Sequence, residues 1–567
     1  MTNEHSTIDS ANSLSTAARF GWAVMIFVTL AVCYFSNLGT IGFAGPDEPR
    51  YAWIARDMAE TGDWVTPRLY GKPWFEKPVL YYWMAAASFK LFGVSEAAAR
   101  LPSAICALFA TLALAWLAWR VYGEETARWL LLLLPTSVGM IGFSHAASTD
   151  MPFSGMVTIA MVCAAFVLGL ARNENTPILP RTPWLALLLF GFFLGLAVLA
   201  KGPAGVILCG GGVFFWAIFT ERWRDAFRLL HPVAIAAFCA TALPWYILCA
   251  RRNPDFFRIF IIEHNFKRYL TPEFQHIQPF WYYAPVLLVE LLPWSLIAVG
   301  LFVAWCTDKS RFDIDAKTCF LLSWVLFCGA FFSVSKSKLP GYVLPALPAI
   351  VLLASSALSS SRRIYSRMGA AGSLATGVIF GMIALLPVLI SSRRNSFVAL
   401  PFIGGLFAAF AIANLILFAA SLKRFSFTAR MLAQMFAAVP LLLLFAGVSK
   451  AANHHWFWVK SPRAVAAALS EENILIQNLR TFHLRRDTQY ALSFYLHAEI
   501  TGWENDKIAD GYLLTDGRSC KELDARLGCE NVWDKRDFGN SIWSLLKIKR
   551  EISADRSAGG GQAQQEK

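Results

Sequence analysis

The feature that most limits how this chain can fold is the recurrence of apolar runs long enough to cross a lipid bilayer. A hydrocarbon core about 30 Å thick needs roughly 20 apolar residues in helical form, because each residue advances the helix by about 1.5 Å. Thirteen such runs are read, near 20–38, 97–120, 127–145, 152–171, 183–200, 204–219, 231–250, 281–305, 318–333, 341–359, 369–391, 398–421 and 429–449. Only 16% of the residues are charged and 56% are hydrophobic, against roughly 25% charged in soluble domains. Most of the chain is therefore built for a solvent other than water. The composition becomes that of a soluble domain only after Lys460. The first run is long and has no small-residue cleavage site after it, so it reads as a retained anchor rather than a removed signal.

The expected fold is an all-α polytopic membrane protein of about 13 transmembrane helices with a small C-terminal α/β domain. The domain plan is a membrane domain over 1–450, including a loop over 39–96 with interfacial helices, then an α/β domain over 451–552 and a disordered, Gly- and Gln-rich end over 553–567. In the tail, Ser461-Pro462 reads as a helix start leading through Glu471. Runs 473–479, 511–515 and 541–548 read as strands, with a helix over 520–527.

The net charge of +13 does not imply nucleic acid, because no basic-aromatic tract of the RNA-binding kind is present. Basic residues instead gather in alternate short loops: Arg120 with Arg128, Arg172 with Arg181, Arg222 with Arg224 and Arg228, Lys309 with Arg311 and Lys317, Arg362 with Arg363 and Arg367, and Lys423 with Arg424 and Arg430. Cytoplasmic loops of membrane proteins carry such an excess. The N-terminus is then cytoplasmic and the tail from about residue 451 periplasmic, in a bacterial inner membrane, with Arg393 and Arg394 as the exception. The run 78–93 is short, rich in Tyr and Trp and interrupted by Lys90, and is read as interfacial or re-entrant.

Nine of the 11 Cys fall in or beside apolar segments, where a thiol is a small hydrophobe. Cys520 and Cys529 lie close together in the tail and either form one disulfide, if the tail is periplasmic, or stay free.

With that orientation, the outer loops hold ionisable residues that positive-inside placement does not explain. The loop over 39–77 contains Asp47, Glu48, Arg50, Arg56, Asp57, Asp63, Arg68, Lys72, Glu76 and Lys77 among aromatic residues. Residues 49–60 suit a short helix lying on the membrane, with Arg50 and Asp57 on one face; solvated charges on such a helix are the plain alternative. Asp150 opens a span in Ser148-Thr149-Asp150-Met151-Pro152, where helix capping is the simplest role. Lys201 stands at a two-helix corner without another charge, and Lys336 and Lys338 precede Leu339-Pro340-Gly341-Tyr342. A further loop holds Arg258, Glu263, His264, Lys267 and Arg268. Cations converging at the rim of a helical bundle form a cradle for a lipid-linked phosphate.

Together the motifs Gly45-Pro46-Asp47-Glu48-Pro49-Arg50-Tyr51, Gly62-Asp63-Trp64 through Trp74-Phe75-Glu76-Lys77-Pro78, Asp150-Met151-Pro152, Lys201-Gly202, Glu263-His264 and Lys338-Leu339-Pro340-Gly341-Tyr342 resemble the bacterial lipid A 4-amino-4-deoxy-L-arabinose transferases. These stand with the protein O-mannosyltransferases among GT-C type glycosyltransferases. The resemblance covers residues 20–350 and is less specific for the sugar than for the broad group. It implies transfer of a monosaccharide from undecaprenyl phosphate to lipid A at the periplasmic face, with Asp47 and Asp150 as the acidic residues of the active site. By the same resemblance Arg50, Lys77, Lys201, Arg268 and Tyr342 hold the carrier phosphate, with Glu48, Lys336 and Lys338 as additional candidates. Glu76 with His264 resembles a divalent-metal pair, zinc being the candidate, although two ligands are fewer than the four of a structural zinc site. No cofactor is otherwise required. The expected partners are the lipid-linked sugar donor, the lipid A acceptor and membrane lipids, with the enzyme a monomer. A related transferase adding mannose, galactosamine or another sugar to protein or glycan is the alternative; a polyprenyl-sugar flippase fits less well, because no internal repeat is found.

Overall fold

The computed structural model describes residues 16–171, 184–267, 277–308, 314–360, 363–391, 400–422, 442–443, 462–472, 474–503, 510–516, 529–536 and 542–549. The chain divides into two compact units, one of residues 1–41 and 51–454, the other of 42–50 and 455–567.

The first unit is helical. Its elements are α1 (Thr16–Phe35), α2 (Asp47–Thr61, which begins in the other unit), α3 (Leu80–Phe92), α4 (Glu96–Tyr122), α5 (Glu124–Leu133), α6 (Val138–Ser144), α7 (Asp150–Val167), α8 (Trp184–Lys201), α9 (Ala204–Thr220) and α10 (Pro232–Arg252). A π-helix over Arg258–Lys267 follows, then α11 (Tyr283–Glu290), α12 (Ser295–Thr307), α13 (Ala316–Val334), α14 (Leu347–Leu358), α15 (Arg363–Ser391) and α16 (Leu400–Leu422). Among the described residues six helices are long and apolar enough to cross a membrane, or up to eight if each of two bent pairs is one span. The expected run near 429–449 lies almost wholly outside the described residues. Helix α3, which covers the run 78–93, has 13 residues and is thus about 20 Å long, too short to cross a 30 Å core.

Two runs read as single straight spans are bent. Helices α5 and α6 meet at 61°, and the Phe280–Glu290 segment meets α12 at 119°. The second break contains Pro293, which has no amide hydrogen to continue a helix. Breaks inside a membrane protein leave backbone groups that lipid cannot satisfy, and these two satisfy each other. The Val138 amide donates to the Leu292 carbonyl at 2.8 Å, and the Trp294 indole donates to the Thr136 hydroxyl at 2.8 Å. Ser137 closes the first break by donating to the Leu133 carbonyl at 2.6 Å.

Small residues let other helices approach closely. A Cβ at Gly191 would lie 2.0 Å from the Ala234 carbonyl oxygen, and one at Gly195 would lie 2.7 Å from Thr241, so the Gly191-x-x-x-Gly195 face of α8 packs directly on α10. Tyr246 on α10 also donates to the Val198 carbonyl at 3.1 Å. This fixes the end of α8, where Lys201 sits.

The loop after α2 is tied to α10 as well. Asp63 accepts from the Val65 and Thr66 amides and pairs with Arg68 at 3.2 Å and Arg252 at 3.1 Å. Trp245 donates to the Val65 carbonyl at 2.9 Å, and Asn253 to the Thr66 hydroxyl at 3.0 Å. A hairpin, β1 (Arg68–Leu69) and β2 (Lys72–Pro73), turns at Tyr70 and Gly71, both with positive φ.

The second unit holds a four-stranded sheet, β3 (Leu479–Phe482), β4 (Asp510–Asp516), β5 (Cys529–Arg536) and β6 (Ile542–Lys549), in the order β3-β4-β6-β5. Only β3 and β4 run parallel. Helices α17 (Pro462–Glu471) and α18 (Arg486–Leu496) contribute Val465, Leu469 and Leu492 to a core shared with Leu479, Leu514 and Leu545. The strand expected over 473–479 is instead a 3-10 turn over Ile476–Asn478, and pairing starts only at Leu479. Strand β5 and helix α18 were not anticipated; the expected helix over 520–527, the disordered end over 553–567, Ser461 and Cys520 lie outside the described residues. Residues 42–50 belong here because the Phe43 amide donates to the Tyr495 hydroxyl at 3.0 Å and its ring meets Phe494 edge to face at 4.8 Å.

Candidate active site at the ends of two membrane helices

Helices α7 and α8 pack against each other, and their charged terminal residues meet. Asp150 is the first residue of α7 and Lys201 the last of α8. A carboxylate at a helix N-terminus and an ammonium at a C-terminus both complement the helix dipole. The Lys201 ammonium donates to Asp150 and lies over the rings of Tyr342, 4.5 Å from its centroid, and Phe153, 5.4 Å away. The lysine side chain is 10% exposed and that of Asp150 25%, so the pair is largely shielded from solvent. Asp150 is not the cap of its helix: Thr149 precedes the first turn and makes no side-chain cap. The carboxylate is committed to Lys201 instead.

Gly341 makes this closeness feasible. A Cβ there would lie 2.8 Å from the Asp150 carboxyl carbon and 2.7 Å from the Phe143 ring. The chain over Pro340–Tyr342 is a 3-10 turn, and it presses its backbone on Asp150 while the next residue brings its ring beneath Lys201. Lys338, 6% exposed, donates to the carbonyls of Ser335 at 2.6 Å and Gln278 at 3.0 Å. Burial first, and then the nearby Lys336 charge, push its ammonium below the ordinary lysine range. Lys338 thus ties two loops together, whereas Lys336 is exposed.

Asp47, Glu48 and Arg50 share the first turn and a half of α2 in the second unit. Asp47 pairs with Arg50, whose guanidinium also donates to the Pro46 carbonyl at 3.1 Å and lies 5.4 Å from the centroid of the Tyr490 ring. Glu48 accepts the Ala44 amide at 2.7 Å, closing the entry to the helix. Glu76 and Lys77 are half-buried after β2, each engaged by neighbouring groups. His264 lies in the π-helix, where Glu263 pairs with Arg258 at 2.7 Å. Arg268 lies outside the described residues. Among the described residues no group of three or more His, Cys, Asp or Glu is placed to hold a metal ion. Glu76 and His264 are two candidate ligands, one fewer than the three protein ligands of a catalytic zinc site.

One ionisable residue escaped the sequence reading. Glu290 ends α11, is 4% exposed, and has no hydrogen-bond partner on either carboxyl oxygen among the described residues. Its signal was a lone carboxylate within the apolar run 281–305, a position that defaults to function in membrane segments.

Comparison with known proteins bears on this geometry. The model of the dolichyl-phosphate-mannose-protein mannosyltransferase family matches residues 21–260. The undecaprenyl phosphate-α-4-amino-4-deoxy-L-arabinose arabinosyl transferase of Aeromonas salmonicida is 32% identical over 379 residues, 66% of this chain and 67% of that protein. The chain belongs to this arabinosyl transferase family. The Yersinia enterocolitica member is 32% identical over 371 residues, and the aligned part spans 65% of that relative's length. The crystal structure of ArnT from Cupriavidus metallidurans bound to undecaprenyl phosphate superposes with a TM-score of 0.71 at 21% identity, covering 93% of this chain and 98% of that one. The fold described above is thus shared with that structure.

Proposed function

We propose that the protein is an integral membrane glycosyltransferase that moves 4-amino-4-deoxy-L-arabinose from undecaprenyl phosphate to a lipid A phosphate, and that it thereby lowers sensitivity to cationic peptides such as polymyxin. The observation that carries this reading is the Lys201–Asp150–Tyr342 cluster at the ends of adjacent membrane helices, in a chain whose relatives are transferases for an undecaprenyl phosphate sugar. A shielded ammonium held by one carboxylate is a preformed partner for a phosphate oxyanion, and charge-assisted bonds strengthen where water is excluded.

The reaction needs no redox partner. The bond between the anomeric carbon and the carrier phosphate breaks, a bond from that carbon to an acceptor phosphate oxygen forms, and undecaprenyl phosphate leaves as an anion. Lys201 stabilises the departing charge, with Arg50, Lys77, Arg268 and Tyr342 as the further phosphate contacts that the motif resemblance assigns. A lipid A phosphate, with a second pKa around 6 by analogy with phosphoserine, is already an anion at neutral pH, so no general base is required. Asp47 and Asp150 then orient the reactants, and direct displacement inverts the anomeric centre. The same reading takes 13 spans, a cytoplasmic N-terminus, a periplasmic α/β tail and a monomer in the bacterial inner membrane.

A second reading draws on the match to the mannosyltransferase family model: another polyprenyl-phosphate sugar delivered to a protein or glycan. Mass spectrometry of lipid A from cells lacking the protein, and from the same cells complemented with wild type or Lys201→Met, separates the two. The expected result is an amino-sugar adduct restored by wild type only. Lipid A unchanged by the deletion would overturn the aminoarabinose reading.

A further inference from the structure

Glu290 lies in the same wall as the Lys201–Asp150 pair. A Cβ at Gly139 would lie 2.8 Å from Glu290 Cβ and 3.1 Å from its Cγ, so Glu290 rests against α6 at Gly139. Phe143, four residues on along the same helix, rests against Gly341 beside Asp150. Four residues advance a helix by about 6 Å and return to the same face. Glu290 is therefore one helical turn from the Asp150–Gly341 contact.

A buried carboxyl group with both oxygens unpartnered is costly unless something fills them. The crossing of the two broken helices holds it there: Trp294 and Leu292, just beyond Glu290, are bonded to Thr136 and Val138. The charges around it are also unequal. Asp150 and Glu290 offer two carboxyl groups, and Lys201 is paired to Asp150.

We infer that Glu290 is a specificity-determining residue that receives the amino group of the donor saccharide, so that the site reads a dipolar ligand: phosphate at Lys201, ammonium at the Glu290 side of Asp150. This rests on the aminoarabinose reading above and deepens it by naming the residue that distinguishes an amino sugar from a neutral one. A hydrogen-bonding pocket left without its partner discriminates far more strongly than an apolar one.

The test uses the full chain in proteoliposomes containing lipid A, with two donors: an undecaprenyl-phosphate-linked 4-amino sugar and its N-acetylated form. Wild type should prefer the amine. Glu290→Gln, nearly the same size, should raise KM for the amine donor about tenfold, leave kcat within about threefold and leave KM for the N-acetylated donor unchanged. Gly139→Ala should shift KM in the same direction, because its methyl group would displace the Glu290 side chain. Stabilisation of each variant by undecaprenyl phosphate in a thermal unfolding assay verifies the fold; if Glu290→Gln fails to fold, Gly139→Ala carries the test. An active wild type with the amine preference unchanged in the folded variants overturns this assignment alone. A loss of kcat that is equal for both donors also overturns it. A wild type inactive with both donors overturns the transferase reading and this assignment together.

Discussion

Lys201 and Asp150 close an ion pair across two packed membrane helices, the one at a helix C-terminus and the other at an N-terminus, with the Tyr342 ring 4.5 Å from the ammonium. Each residue occupies the end of the helix dipole that favours its charge. Removing either takes an ion-pair partner from the other in a shielded setting.

Lys201→Met should therefore lower sugar transfer by about 10²–10³-fold, the range found when a preorganised charge on a developing anion is lost. Asp150→Asn should lose activity as well. The double variant should be little worse than the weaker single, because the two act as one unit. Steady-state transfer rates on purified protein check this, and additive losses would show that the pair is not coupled.

Gly341→Ala adds a methyl group where the Asp150 carboxyl carbon and the Phe143 ring stand 2.8 and 2.7 Å from its position. Neither neighbour is a loose side-chain end. The loop must retreat from Asp150, and activity should fall at least tenfold, since displacements of about 1 Å at a reacting site are that damaging. Overpacking should also cost about 1–3 kcal/mol in stability. An active, equally stable variant would mean that the turn does not hold Asp150.

Trp294→Phe removes the indole donor to Thr136. A lost buried hydrogen bond costs about 1 kcal/mol, more if an acceptor is stranded. Thermal unfolding in detergent should show a lower Tm, and Thr136→Val in the same background should add little. A full additional loss would indicate that the two broken helices do not depend on this contact.

The Asp63 clasp should respond to acid. Its partial burial opposes ionisation, but the Val65 and Thr66 amides and the Arg68 guanidinium outweigh that and hold its carboxyl below the ordinary carboxylate range. A depressed folded-state pKa gives stability that is present above the unfolded value of about 3.9 and is lost as pH falls through the folded value. The protection of the amides at residues 63–68, with the intrinsic exchange rate at each pH divided out, should be high at neutral pH and fall only below about pH 4, whereas in Asp63→Asn it should be lower and nearly independent of pH.

The sequence by itself determined the membrane class, because lipid leaves helices as the way for long apolar runs to satisfy their own backbone. It also marked Asp150 and Lys201 as unusual, since charge at the rim of an apolar bundle is expensive and seldom idle, while Tyr342 was named by the motif resemblance. Helix α2 was legible from its period, as were α17, β4 and β6. What it left open depended on contacts between distant residues. The run 281–305 read as one span because hydropathy averages over Pro293, and the bend is stabilised by Thr136 and Val138, more than 150 positions earlier. Asp150 read equally well as a cap until α8 brought Lys201 to it. Glu290 was one carboxyl group in an apolar run, and only the packing on Gly139 set it one helical turn from the Asp150–Gly341 contact. Residues 42–50 joined the second unit through Phe43 and Tyr495, a contact across 452 positions. Local pattern decides what each segment is made to do in its solvent; which side chains then meet is decided by close packing, where a glycine or a bent helix fixes distances that periodicity does not encode.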